Sequence, residues 1–122
     1  MSQPRPTPSE HPAVWPQVCD DLWQYAGAMW WVDANPTLDA LIADCENRAA
    51  FGLTLYDAPV KPNNGRDALL DAYEEVLDCL VYLKQRILEL DGAAGAGLVS
   101  IYHRQMSIAY DLKTIMRQAS AG

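Results

Sequence analysis

Apolar residues recur three and four positions apart through four successive windows of this chain, and strict apolar/polar alternation is nearly absent. That periodicity suits amphipathic helices and excludes a sheet as the organising element. The windows are set apart by helix-ending signals. The first, residues 17–32, carries Val18, Leu22, Tyr25, Ala26, Met29 and Trp30 on one face and stops at the break Asp33 to Pro36, because proline disfavours a helical residue before it. The second opens with Thr37 as the expected N-cap, presents Leu38, Leu41, Ile42 and Cys45, and is expected to stop near Phe51 and Gly52. Residues 52–66 hold Pro59, Pro62 and the turn signal Asn63-Asn64-Gly65, so they read as a loop.

The third helix is predicted from about Arg66 or Asp67 to Asp91, with Gly92 where a left-handed residue commonly ends a helix. Residues 92–97 form a short flexible turn, and the fourth helix, about 98–119, is expected to fold back antiparallel. Its apolar seam is read as Leu98, Ile101, Ile108, Leu112 and Ile115, flanked by Tyr102, Ala109 and Met116. The fold class expected is therefore all-α: a four-helix domain over residues 17–122, ending in an antiparallel hairpin over 66–119. Pro4, Pro6, Pro8, Pro12 and Pro16 make residues 1–16 a disordered arm in this reading. With 122 residues there is room for one ordinary domain.

Sixteen acidic against nine basic residues, a net charge of -7, argue against a duplex nucleic acid partner, since phosphate affinity rests on a dense basic surface. The longest apolar run, Tyr25 to Val32, is far below the roughly 20 residues of a membrane span. Cys19, Cys45 and Cys79 are odd in number and distant in sequence, offering neither a disulfide framework nor a CxxC knuckle, and they read as small buried hydrophobes. A soluble protein of the cytoplasm is expected.

Much of the negative charge is local. At about 100° per residue, Asp67, Asp71, Glu74, Glu75 and Asp78 share an arc of roughly 100° on the third helix. Like charges one turn apart repel, so the stripe calls for an offset. Solvent and the helix dipole offer one, pairing with Lys113 and Arg117 across the hairpin a second, and a divalent cation bound by carboxylates one turn apart a third.

The run Asp71-Ala72-Tyr73-Glu74-Glu75-Val76-Leu77-Asp78, followed by an apolar stretch with Tyr82-Leu83, resembles the helix of MazG-like all-α nucleoside triphosphate pyrophosphohydrolases that carries the E-x-x-D half of their metal signature. Phe51-Gly52 with Tyr56, and Asn64-Gly65-Arg66-Asp67 leading into the run, are similar to small phage and prophage proteins described as MazG-like. The resemblance implies Mg²⁺-dependent hydrolysis of a nucleoside triphosphate to monophosphate and pyrophosphate. Glu75 and Asp78 would then be metal ligands, and Glu74 and Asp71 the catalytic base or a third ligand. The family's second pair, E-x-x-E, is not found on the preceding helix, which offers Asp39, Asp44 and Glu46. Two alternatives therefore stand beside the enzyme: a non-catalytic phage protein that binds or sequesters a nucleotide signal on the same scaffold, and an acidic helical protein–protein adaptor.

Lys61, Asn64 and Arg66 precede the third helix, where free N–H groups and the dipole favour an anion, and Lys113 and Arg117 add cations on the fourth; these five are the candidate phosphate contacts. The loop is no P-loop. Four tryptophans, Trp15, Trp23, Trp30 and Trp31, read as core or subunit packing ahead of base stacking, and with the wide apolar arc of the third helix they point to a homo-oligomer. His11 and His103 have no ligand partners in the sequence and no Ser-His-Asp arrangement is readable.

Overall fold

The computed structural model describes residues 3–29, 36–56 and 58–121, with the side chains of 26–29 and 56 left aside. Four α-helices follow in order, α1 (Val14–Met29), α2 (Pro36–Tyr56), α3 (Ala68–Glu89) and α4 (Ala96–Ala121), with a 3₁₀ turn at Gly92–Gly95 and no strand among the described residues. The all-α reading stands. The readings of Trp30, Trp31 and the break at 33–35 lie outside the described residues. No helix among the described residues is long and apolar enough to cross a membrane. Where the sequence suggests one helical domain, the chain divides into two compact units, Met1–Arg66 and Asp67–Gly122.

In the first unit α1 packs against α2. Leu38 and Ile42, 5% and 7% exposed, form the buried core, with Cys19 and Leu22 of α1 laid against them. Proline opens α2 at Pro36, its missing N–H being one of the unpartnered donors of any helix start, so Thr37 is already helical and is not the N-cap. The helix also runs through Gly52 to Tyr56, past the expected stop, since one interior glycine costs only about 1 kcal/mol.

The N-terminal arm differs from its expected disorder. Val14 to Pro16 belong to α1, and residues 3–13, without helix or strand, lie along the loop 60–66. Thr7 N–H donates to the Asn64 carbonyl and Val14 N–H to the Val60 carbonyl at 2.7 Å. Ser9 Oγ donates to the Pro62 carbonyl at 2.6 Å. Gly65 sits at φ +86°, where a Cβ would meet Thr7 Oγ1 at 3.1 Å, so a residue without a side chain lets the arm close on the turn. Extended proline-rich backbone makes no bonds within itself, which leaves its polar groups free for this partner.

The second unit is the antiparallel hairpin of α3 and α4. Asp67 caps α3, its carboxylate accepting from Leu70 N–H at 3.0 Å. Two cation–ring contacts fix the register: Lys113 Nζ lies 5.2 Å from the centre of the Tyr73 ring and Lys84 Nζ 5.6 Å from that of Tyr102. The half-buried residues of α4 are Leu98, Tyr102, Gln105, Ala109, Leu112, Thr114 and Met116, so the seam is rotated from the expected one and Ile101, Ile108 and Ile115 are exposed beside it. Neither helix contains a buried residue. On α3, Val81 and Leu88 are 65% and 72% exposed.

Candidate functional site

On α3 the half-buried residues Leu69, Leu70, Tyr73, Val76, Leu80, Leu83 and Ile87 face α4. Glu74, Glu75 and Asp78 are exposed on the opposite side, and Asp71 is half-buried. At about 100° per residue Glu75 and Asp78 lie on adjacent turns, and Glu74 and Asp71 flank them. Asp67 belongs to the cap, so its carboxylate already serves Leu70 N–H. A single helix presents its carboxylates from one direction. Accordingly, no group of three or more His, Cys, Asp or Glu among the described residues is placed to hold a metal ion.

The five candidate phosphate contacts separate. Lys61, Asn64 and Arg66 lie in the first unit and Lys113 and Arg117 in the second. The loop residues are engaged with the arm: Lys61 Nζ donates to the Ser9 carbonyl at 3.2 Å and Arg66 Nη1 to the Pro4 carbonyl at 2.7 Å. Asn64 Oδ1 accepts from Arg66 N–H at 3.2 Å. His11 joins the same contact, its Nε2 lying 2.9 Å from Asn63 Nδ2. What the sequence suggests as an anion loop is thus a latch for residues 3–11. Lys113 and Arg117, one turn apart, line an open depression of about 400 Å³ with Met116, Ser120 and Ala121. Lys113 turns toward the Tyr73 ring, on the side of α3 that faces α4 and away from Glu74.

No family model, curated protein or solved structure matches this chain.

Two features of the first unit escape the sequence reading. A groove of about 410 Å³ between α1 and α2 is lined by Trp15, Cys19, Asp20, Trp23, Ile42 and Glu46. At its wall Cys19 packs against Leu38 and Ile42 of the core. The Cys19 pKa is pushed up, first by desolvation and then by the neighbouring Cys45, Glu46 and Asp20, each of which disfavours a thiolate. All three cysteines are half-buried free thiols, where the sequence reading has them buried. Their helical positions carry a usable signal, because Cys45 follows Ile42 by three residues on the face of α2 that meets α1.

Proposed function

We propose that this chain binds a nucleoside triphosphate with Mg²⁺ on the outer face of α3 and, as a self-associated MazG-like protein of the cytoplasm, hydrolyses it to monophosphate and pyrophosphate. The observation that carries this reading is the pair Glu75 and Asp78, exposed on adjacent turns of α3 and directed away from the seam. Two carboxylates are too few for a metal site made of protein alone, but Mg²⁺ keeps several waters and is commonly held by one or two carboxylates plus substrate phosphates. The residues therefore fit a cation that arrives with its triphosphate. When bound, Mg²⁺ offsets the charge on the phosphate oxygens and acidifies a coordinated water.

Within the chain, Glu75 and Asp78 hold and orient, while Glu74 or Asp71 takes the proton from the attacking water. Lys113 and Arg117 belong to α4, which packs on the other face of α3, so they would serve the phosphates only from a second copy of the chain. Self-association is supported by the hairpin itself, in which Val81, Leu88, Ile101, Ile108 and Ile115 remain exposed and call for a further packed layer.

A second reading keeps the scaffold and drops the chemistry: a nucleotide-binding protein without turnover. It is favoured by the absence of a third converging carboxylate among the described residues. Incubation with a panel of nucleoside triphosphates and Mg²⁺ tests the first reading through release of pyrophosphate, which Glu75→Gln and Asp78→Asn are expected to abolish. Nucleotide recovered from heat-denatured protein without turnover supports the second. Neither signal leaves the acidic adaptor.

A further inference from the structure

Three isoleucines of α4, Ile101, Ile108 and Ile115, stand 41%, 45% and 51% exposed beside the seam with α3. Each follows the last by seven residues, so they line up about 10.5 Å apart in one stripe. At about 100° per residue the stripe lies about 80° to one side of the seam residues Leu98, Tyr102, Ala109 and Leu112. Ala72 and Cys79 lie at a similar angle, in the same rotational sense, from the seam of α3. Equal turns from the facing seams of two antiparallel helices reach the same broad side of a hairpin. The contacts of Tyr73 with Lys113 and of Lys84 with Tyr102 then set Cys79 level with residue 107, beside Ile108. One side of the second unit is therefore an apolar strip with Ile108 and Cys79 at its middle. Arg104 and Asp111 border the stripe, and neither has an ion pair or a side-chain hydrogen bond among the described residues.

We propose that this side of the hairpin binds a second copy of the chain about a two-fold axis at Ile108, so that two hairpins make a bundle of four helices. The pairing rests on the self-association that belongs to the proposed function. A two-fold interface has to be complementary to itself. With α4 antiparallel to its copy and Ile108 on the axis, Ile101 faces Ile115 of the second copy and Ile115 faces its Ile101. Arg104 stands four residues before the axis and Asp111 three residues after it, which brings each within about 1.5 Å of the level of the other across the interface, on the same flank. The stripe thus gains two Arg–Asp pairs and sets no like charges against each other. A parallel pairing would place Arg104 against Arg104 and Asp111 against Asp111. The charges therefore select an antiparallel second copy as the occupant. Cys79 of one copy meets Cys79 of the other across the same axis, where a small side chain lets the two α3 helices approach. Val81 and Leu88 lie on the opposite broad side and are left for a further contact, on which larger assemblies build.

The test uses the full chain, with light scattering after size-exclusion chromatography over a concentration series. Arg104→Asp and Asp111→Arg are each expected to weaken assembly by about tenfold or more, because like charges then face each other across the axis. Arg104→Asp combined with Asp111→Arg restores opposite charges and is expected to recover the wild-type assembly. A short bis-maleimide added to the wild type is expected to join Cys79 to Cys79 between copies, as mapped by peptide mass spectrometry. A wild-type monomer overturns self-association and this interface together. A wild-type assembly that neither single charge variant weakens, a double variant no better than the single ones, or the absence of a link between the two Cys79 residues overturns this face alone and leaves self-association standing. The cross-link is read in the wild-type chain, so the conclusion does not depend on any variant folding.

Discussion

Lys113 Nζ sits 5.2 Å above the ring of Tyr73, joining the far end of α4 to the first turns of α3. Lys84 and Tyr102 repeat the contact with the roles of the helices exchanged, eleven residues further along α3 and eleven back along α4. The two contacts therefore pin one antiparallel register over about three turns. Both cations lie at exposed sites, where such a contact is worth about 0.5–1 kcal/mol. Tyr73→Ala is expected to lower hairpin stability by more than that, since ring packing is lost as well, whereas Lys113→Met removes only the charge. Urea unfolding of both variants checks the order.

Asp67 has a structural role that its place in the acidic stripe conceals. Asp67→Ala is expected to cost about 1 kcal/mol through loss of the cap on Leu70 N–H, and Asp67→Asn much less. Thermal unfolding followed by circular dichroism reads the difference. Nucleotide turnover equal to wild type is expected in the Asn variant, which separates the cap from Glu75 and Asp78.

Gly65 holds the arm by having no side chain. Gly65→Ala meets a left-handed backbone and Thr7 at once, so the arm is expected to lift from the loop 60–66 at a cost of about 1 kcal/mol or more. Limited digestion after Glu10 by a glutamate-specific protease is expected to accelerate in the variant. An unchanged cleavage rate contradicts the latch.

The raised Cys19 thiol gives a pH dependence of definite sign. The native state keeps this proton at a pH where the unfolded chain has released it, so the contribution to stability is complete below the ordinary thiol value of about 8.5 and is lost as pH climbs through the raised native value. The urea midpoint of the reduced protein is expected to decline across that alkaline window, and to decline less in Cys19→Ser. Equal declines in the two proteins would assign the effect elsewhere.

The exposed apolar side chains of the hairpin set an expectation for assembly. Light scattering after size-exclusion chromatography is expected to give a dimer or larger species for the wild type, and Val81→Asp with Leu88→Asp is expected to shift it toward monomer. A wild-type monomer at micromolar concentration contradicts self-association.

Local periodicity made the helices legible: Leu38 and Ile42, or Leu69, Tyr73, Val76 and Leu80, announce their faces through spacing alone. The seam of α4 was harder, because Ile101, Ile108 and Ile115 are as apolar as Tyr102, Ala109 and Met116, and the choice between the stripes is made by α3 through Lys84 and Tyr73. Contacts across more than fifty residues, such as Arg66 with Pro4 or Lys61 with Ser9, are made to backbone carbonyls and leave no residue-type signature. The same holds for Cys19, whose place against Leu38 and Ile42 depends on how α1 lies on α2. Glu75 and Asp78 were legible as an exposed pair, since a carboxylate face opposite an apolar one is set by the helical period.

Whether that pair takes a metal with its nucleotide is read most directly by Mn²⁺, standing in for Mg²⁺, titrated into the full chain with a non-hydrolysable triphosphate and followed by electron paramagnetic resonance. The free Mn²⁺ signal is expected to fall below that of nucleotide alone for the wild type, and to match nucleotide alone for Glu75→Gln and Asp78→Asn. A wild-type signal equal to that of nucleotide alone contradicts both the catalytic and the nucleotide-binding readings of α3.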